Sequence, residues 1–211
     1  MVEEVRLHKL LMNPNPNIFS NQPELVSITD KEKLLQQKGV IVWMTGLSGS
    51  GKSTLAYSVE KTLFEKGILT KVLDGDVLRL GLNKELGFGN EGRYENIRRT
   101  AELAKQLASC GVIVICSLIT PTNELRNLAK HIIGNKKFTL CHISAPLAVC
   151  EERDVKGHYA KARNGNLKNF TGIDNLFETP ENAEITIDTS ALSIEACRDY
   201  LFNYIYALAL K

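Results

Sequence analysis

The stretch GLSGSGKST, residues 46–54, follows directly after the apolar run VIVWM at residues 40–44. A continuous apolar run rich in β-branched residues is typical of a strand buried on both faces of a parallel sheet. The residues behind it match the pattern G-x-x-x-x-G-K-[ST], from Gly46 to Ser53. A buried strand, this loop and a following helix together predict a phosphate-binding loop.

Each residue type in the loop has a chemical reason. Glycine lets the backbone wrap so that N–H groups point at phosphate oxygens, and the positive end of the next helix faces the same anion. Lys52 brings a mobile positive charge to the β and γ phosphates, and the Ser53 hydroxyl can coordinate Mg²⁺. We therefore expect a nucleoside triphosphate to be bound by Gly46, Leu47, Ser48, Gly49, Ser50, Gly51, Lys52, Ser53 and Thr54.

Strands and helices alternate along the rest of the chain. Further apolar runs predict strands at 68–73, 112–119, 138–143 and 185–189. Helical spacing and stop signals predict helices near 53–65, 95–110, 122–133, 146–153 and 193–209. This alternation predicts an α/β fold of the P-loop NTPase type, a three-layer sandwich with a mostly parallel five-stranded sheet.

Two segments lie outside this alternation. Residues 1–38 are predicted to form an N-terminal arm, residues 1–24, and a short helix at about 30–37. The capping-box spacing of Thr29 and Glu32 would begin this helix, and Gly39 would end it. Residues 154–184 are rich in glycine and lysine with little apolar periodicity. A loop this long in a compact domain is usually functional or disordered.

Composition excludes several classes of protein. The 211 residues include 26 basic and 24 acidic ones, a formal net charge of +2, without the basic clustering of a nucleic-acid or membrane-surface protein. The N-terminus is too charged for a signal peptide, and the late apolar run LFNYIYALAL is half a membrane span. Five cysteines without C-x-x-C spacing indicate buried free thiols in a reducing compartment, with a disulfide or redox switch as the alternative. We expect a cytoplasmic protein.

Phosphate-binding loops serve GTPases, motor ATPases and small-molecule kinases. A GTPase would carry N-K-x-D, but Asn135–Phe138 lacks the aspartate, and the L-S-G-G-Q stretch of transporter ATPases is absent. The size of the chain and its irregular basic segment favour a small-molecule kinase with a closing lid. Residues 39–211 are then the P-loop kinase domain, with the lid at about 154–176.

The end of the second predicted strand carries two carboxylates, Asp74 and Asp76. Ligands of open α/β sheets bind at the carboxyl ends of the strands. A carboxylate there can bind Mg²⁺ or accept the proton of an attacking hydroxyl. The structural alternative is that Asp76 caps a helix beginning at Val77. A cluster of arginines surrounds Phe88 and Asn96 in the sequence: Arg79, Arg93, Arg98 and Arg99. These arginines could bind phosphate or sulfate oxygens, or they could simply be solvated on a helix face.

The chain resembles the adenylylsulfate kinases (APS kinases) from about residue 37 to residue 189. The stretches DGDxxRxGLN, ENIRR and NFTGI, together with QKGVIVWMTGLSGSGKST, CEERDVKGHYAKAR and PENAEITIDT, carry the resemblance. That family phosphorylates the 3′-hydroxyl of adenosine 5′-phosphosulfate (APS) with Mg-ATP, which gives PAPS. The resemblance therefore implies ATP as co-substrate, Mg²⁺ as cofactor and APS as acceptor, with neither nucleic acid nor membrane as partner. The family is often dimeric, so a homodimer is the expected assembly.

The resemblance also implies roles for single residues. Lys52 would act on the transferred phosphoryl group, and Asp76 would orient or deprotonate the ribose hydroxyl with support from Asp74. Ser53 and Asp76 would hold the metal. Phe88 and Phe170 would sandwich the substrate adenine, and the mobile lid would span Lys156–Gly172. The full set expected to contact the acceptor is Arg79, Phe88, Arg93, Asn96, Lys156, Lys168 and Phe170.

Two stretches depart from the family pattern. Where the family has S-P, an aromatic residue and R-x-x-R, this chain reads TPTNELR at 120–126. Thr120 keeps a hydroxyl as a candidate phosphate acceptor, and Arg126 matches the second arginine and is expected to contact ATP. The DGD motif is followed by Val77 and Leu80 instead of asparagine and histidine. We expect both changes to lie near the acceptor pocket, which keeps two alternatives open: a same-fold kinase of another nucleotide-linked hydroxyl, and a non-catalytic nucleotide-binding module.

Overall fold

The computed structural model describes residues 26–210, so the predicted arm, residues 1–24, lies outside the described residues. Its sheet is built from β1 Ile41–Thr45, β2 Thr70–Asp74, β3 Ile113–Ser117, β4 Phe138–Ser144 and β5 Ile185–Asp188. The strand order is β2-β3-β1-β4-β5, and every pairing in it is parallel. The predicted α/β fold with five strands is confirmed.

The helices are α1 Ile28–Leu35, α2 Lys52–Glu65, α3 Gly75–Leu78, α4 Asn90–Ser109, α5 Asn123–Ile133, α6 Leu147–Arg153, α7 His158–Arg163 and α8 Ile194–Ala209. Two of them, α3 and α7, are too short to show apolar periodicity; a helix near α3 was only an alternative, and α7 was not predicted. Helix α4 begins at Asn90 instead of residue 95, since its first turns are polar and carry no apolar pattern.

The three layers follow from the alternation of side chains along β1, all of which are buried. Ile41 and Trp43 pack on one face of the sheet with α4 and α5. Val42 and Met44 pack on the other face with α2 and α8. Both faces of the central strand are therefore covered, which is why its sequence contains no polar residue before Thr45.

The short N-terminal helix is present, but its predicted ends were wrong. Its capping box is formed by Ser27 and Asp30, with Oγ of Ser27 accepting from the Asp30 N–H at 3.1 Å, and not by the Thr29–Glu32 pair. The helix ends at Gln36, which takes the left-handed conformation, and not at Gly39. Two four-residue stretches with capping-box spacing overlap here, 27–30 and 29–32. The first forms the cap, because Ser27 lies directly before the first helical residue.

Four cysteines are buried and free, as expected, while Cys110 is free and exposed at the end of α4. None of the helices within residues 26–210 has the length and apolar character needed to span a bilayer.

Candidate active site

A cavity of about 370 Å³ lies at the carboxyl ends of β1, β2 and β3. Its walls come from the loop after β1, the end of β2, helix α4 and the segment after α6. All predicted site residues line this cavity except Gly46, Leu47, Ser50 and Arg126. Parallel strands place their carboxyl ends on one edge of the sheet, and the strand order reverses around β1, which opens a crevice at this edge.

Lys52 is held inside the phosphate-binding loop. Its Nζ donates to the carbonyl oxygens of Gly46 at 3.0 Å and Leu47 at 2.7 Å. The side chain is only 8% exposed, and this burial lowers the pKa of the ammonium to about 8. Carbonyl oxygens only partly compensate a buried positive charge, so the loop is prepared for an anion.

Two loop glycines are required by their positive φ, and Gly49 also by a close backbone contact. Gly49 has φ 76°, and a Cβ there would lie 2.8 Å from the carbonyl oxygen of Cys150. Gly51 has φ 92° and precedes the first residue of α2. Both take the left-handed conformation that side chains disfavour, so the loop can wrap only with glycine at these positions.

Three side chains from distant segments clamp the back of this loop. The hydroxyl of Thr189 donates to the Ser50 carbonyl at 2.8 Å, and Arg153 donates to the Thr189 carbonyl at 2.7 Å. The Tyr159 hydroxyl donates to the Ser48 carbonyl at 2.9 Å. None of these clamps was predicted, because each contact joins residues more than 30 positions apart in the chain.

The end of β2 gives its two carboxylates different partners. Asp74 accepts from the Ser53 hydroxyl at 2.5 Å and, through its other oxygen, from the Asp76 N–H at 2.9 Å. Asp74 is therefore the N-cap of α3, and the structural alternative that Asp76 caps a helix is wrong. Asp76 instead forms an ion pair with Lys156 of the lid, and both side chains are about half exposed.

Ser117 is a site residue that the sequence reasoning missed. Its hydroxyl lies 3.3 Å from the Ser53 hydroxyl and lines the cavity. It is the last residue of β3, so the strand-end argument that selected Asp74 would have found it. Ser53, Asp74 and Ser117 together present only oxygen atoms, which are the ligands that Mg²⁺ prefers.

The two predicted aromatic residues lie in different surroundings on the cavity wall. Phe88 is 56% exposed, and the Arg79 guanidinium lies over its ring at 4.3 Å. Phe170 is 8% exposed and meets the Tyr159 ring edge-on, with centroids 4.9 Å apart. Phe170 therefore belongs to the small core of the lid, while Phe88 projects from the surface of the cavity.

Arg93 ties the two aromatic segments together. It donates to the carbonyl oxygen of Phe88 at 2.8 Å, to the Thr171 hydroxyl at 2.7 Å and to the carbonyl oxygen of Asn169 at 2.5 Å. Burial lowers the pKa of its guanidinium. Arg93 thus bridges α4 and the lid beside the cavity.

The other basic residues separate into lid and surface groups. Arg98 and Arg99 both pair with Glu95 at 2.7 Å and do not line the cavity. For these two arginines, the alternative of a position on the helix face is therefore the one that the structure supports. Lys168 lines the cavity, whereas Lys161 does not.

Arg126 and Thr120 are occupied by structural contacts. The buried Arg126 donates to the carbonyl oxygens of Thr120 at 2.9 Å and Glu178 at 2.7 Å, and to Oδ1 of Asn123 at 2.6 Å. The Thr120 hydroxyl accepts from the Trp43 indole at 3.0 Å, and the residue is 2% exposed. The burial of Thr120 argues against a role as phosphate acceptor. The contacts of Arg126 indicate a structural role.

Four substituted positions of the family departures do not line the cavity, although their neighbours Asp76, Arg79 and Pro121 do. Val77 and Leu80 are 56% and 84% exposed and lie outside the cavity lining. Thr122 and Asn123 are also absent from it, with Thr122 capping α5 and Asn123 held by Arg126.

A phosphate-binding loop on a parallel sheet, a serine–aspartate pair beside it and a basic lid define a P-loop kinase of small molecules. Comparison with known proteins narrows this class. Residues 38–188 match the model of the adenylylsulphate kinase family, and the chain belongs to that family.

Relatives match over nearly the whole chain. The chain is 49% identical over 195 residues to the adenylyl-sulfate kinase of Phocaeicola vulgatus, covering 92% of this chain and 96% of the relative. It is 53% identical over 176 residues to that of Clostridium acetobutylicum, covering 83% and 88%. Among solved structures, the Mycobacterium tuberculosis APS kinase CysC in complex with AMPPNP and APS has 44% identity and a TM-score of 0.76, covering 79% of this chain and 96% of that one.

Proposed function

We propose that this cavity is where the chain transfers the γ-phosphoryl group of ATP to the 3′-hydroxyl of APS, forming PAPS and ADP. Family membership supports the reaction. The observation that carries the site is that Lys52, Asp76 and Phe170 line one continuous cavity. A single cavity can hold two substrates end to end, as direct transfer between them requires.

At the ATP end, the loop N–H groups and Lys52 bind the phosphates. Lys52 exchanges its contacts with the Gly46 and Leu47 carbonyls for phosphate oxygens. Its positive charge then lies where negative charge develops during transfer, and a buried position makes this interaction stronger than it would be in water.

The oxygen set beside the loop fits Mg²⁺. Ser53 and Asp74 would hold the ion, with Asp74 in the metal role first expected for Asp76, since Asp74 contacts the Ser53 hydroxyl and Asp76 faces the lid. Within the described chain, His, Cys, Asp and Glu side chains do not form a group of three able to hold a metal alone. The small number of protein ligands suits a Mg²⁺ ion whose coordination shell is completed by phosphate oxygens. When bound, this ion would screen the phosphate charges.

Asp76 serves as the proton acceptor. The 3′-oxygen forms a bond to the γ-phosphorus, the bond from that phosphorus to the β–γ bridging oxygen breaks, and the hydroxyl proton passes to the Asp76 carboxylate. The ion pair between Lys156 and Asp76 must break before this proton transfer. The ammonium group of Lys156 is then free to contact the phosphates. The ion pair therefore links lid position to the availability of the base.

At the acceptor end, the ring faces of Phe88 and Phe170 take the adenine, and Arg79, Arg93, Asn96 and Lys168 face the phosphosulfate. Aromatic rings bind bases through stacking, and arginine matches the oxygens of phosphate and sulfate. Because Val77, Leu80, Thr122 and Asn123 lie outside the cavity lining, nothing at these positions favours another acceptor.

An acceptor panel tests the proposal. Purified protein with Mg²⁺ and γ-labelled ATP is offered APS, AMP, ADP and other ribonucleotides, and transfer of the label to each acceptor is measured. We expect the highest kcat/KM with APS and loss of turnover in Lys52→Ala and Asp76→Asn. Faster turnover on another acceptor would establish the same-fold alternative, and no turnover with any acceptor would establish the non-catalytic module. A homodimer stays a prediction, which light scattering of the purified chain tests.

A further inference from the structure

Two asparagines form a buried pair at the acceptor end of the cavity. Asn83 lies in the turn between α3 and the Phe88 segment and is 0% exposed. Its Nδ2 donates to Oδ1 of Asn96 at 2.8 Å. Asn96 lines the cavity from α4, whereas Asn83 does not reach it.

The backbone holds both partners of this pair in place. The Asn83 N–H donates to the Leu78 carbonyl at 2.8 Å, and the Asn83 carbonyl accepts from the Leu86 N–H at 3.1 Å. On α4, the Thr100 hydroxyl donates to the Asn96 carbonyl at 2.6 Å. The amide groups therefore meet in a fixed position, and only their orientation is left to be decided.

That orientation determines which atom faces the cavity. An asparagine amide has one acceptor oxygen and an NH₂ group with two donors. The oxygen of Asn96 is engaged by Asn83, so its NH₂ group is left for the cavity. Oδ1 of Asn83 has no hydrogen-bond partner among the described residues. If both amides were reversed, the NH₂ group of Asn83 would occupy that buried position without a partner. Buried unpaired N–H groups are rarer than buried unpaired oxygens, so the observed orientation is preferred.

We propose that Asn83 is a positioning residue, which orients the Asn96 amide so that its NH₂ group faces the acceptor substrate. The inference rests on the proposed function, in which the substrate brings ribose, phosphate and sulfate oxygens to this wall. A donor attracts these oxygens, whereas the carbonyl oxygen of a reversed Asn96 repels them.

Asn83→Asp tests this with a side chain of the same shape. Burial favours the protonated carboxyl, which donates to Asn96 as Asn83 does, so the kinetics are measured from pH 6 to pH 9. Once ionised, the carboxylate offers only acceptors, so Asn96 turns its NH₂ group toward the carboxylate and its oxygen toward the cavity. At the alkaline end of this range we expect the KM of the variant for APS to exceed that of the wild type about tenfold or more, the effect of a lost hydrogen bond to a charged group. The KM for ATP stays unchanged, because the triphosphate end is not touched.

A double-mutant cycle separates positioning from a general structural role. Asn96→Ala alone raises the KM for APS, and adding Asn83→Asp to it raises that KM no further, because Asn83 acts through Asn96. If Asn83→Asp does not fold, Asn83→Ala replaces it in the same cycle. Additive effects, an equal rise in the KM for ATP, or a KM for APS that equals the wild-type value across the whole pH range would overturn the inference. If the wild type uses a different acceptor, the proposed function fails, and the cycle is run with that acceptor.

Discussion

The buried lysine of the phosphate loop should take up a proton when ATP binds. Without nucleotide, burial lowers the pKa of Lys52 from 10.5 to about 8. Its hydrogen-bond partners in the loop are neutral oxygens. A triphosphate placed there stabilises the charged form, so binding raises this pKa and draws a proton from solvent.

The size of the uptake follows from the pKa. At pH 8.5, a lysine with a pKa of about 8 is about three quarters uncharged, so each bound nucleotide should take up about 0.7 proton. At pH 7, the same group is about nine tenths charged, and uptake falls to about 0.1. The effect is therefore large on the alkaline side and nearly absent at neutral pH.

Calorimetry measures this uptake directly. A non-hydrolysable ATP analogue is titrated with Mg²⁺ into the protein at pH 8.5 in buffers of different ionisation enthalpy, and the slope of the binding enthalpy against that quantity gives the protons taken up. Lys52→Met, which keeps most of the side-chain length without the charge, should bind more weakly and show no uptake. Equal uptake in this variant, or none in the wild type at pH 8.5, would refute the reasoning.

Three further predictions concern residues of the cavity. Asp76→Asn should lower kcat at least about hundredfold with an unchanged Tm, since the side chain is half exposed and caps no helix; a fall in Tm as large as that of Asp74→Asn would contradict its assignment as the carboxylate that serves the reaction and not the fold. Phe88→Ala and Phe170→Ala should each weaken APS binding by about 1–3 kcal/mol, but only the second should lower Tm, because only that ring is buried. Unchanged APS affinity in both variants would exclude stacking. Incubation with γ-labelled ATP should leave Thr120 unlabelled by peptide mass spectrometry, since its hydroxyl is buried and accepts from an indole; label at this position would show that the site opens.

The positions of Asp74 and Asp76 could be predicted from the sequence, but their roles could not. Both Asp74 and Asp76 could be placed at the sheet edge, because a residue that follows a buried strand must emerge there. Their separate tasks could not be assigned, since these depend on Ser53 for one and on Lys156, 80 positions away, for the other. The same limit applies to Arg126, whose expected ATP contact rested on a motif, while one of its observed partners is the Glu178 carbonyl, 52 positions away.

The sequence by itself determined the phosphate loop, the five strands and the irregular segment after α6. These depend on local properties: glycine where φ is positive, apolar runs where both faces of the sheet are covered, and a long stretch rich in glycine and lysine where no strand forms. Only the tertiary structure decided that Asn83 donates to Asn96 and that the altered residues Val77 and Leu80 do not line the cavity, although Asp76 and Arg79 beside them do. The reason is that a side chain's surroundings are set by packing between segments far apart in the chain, which no local pattern records.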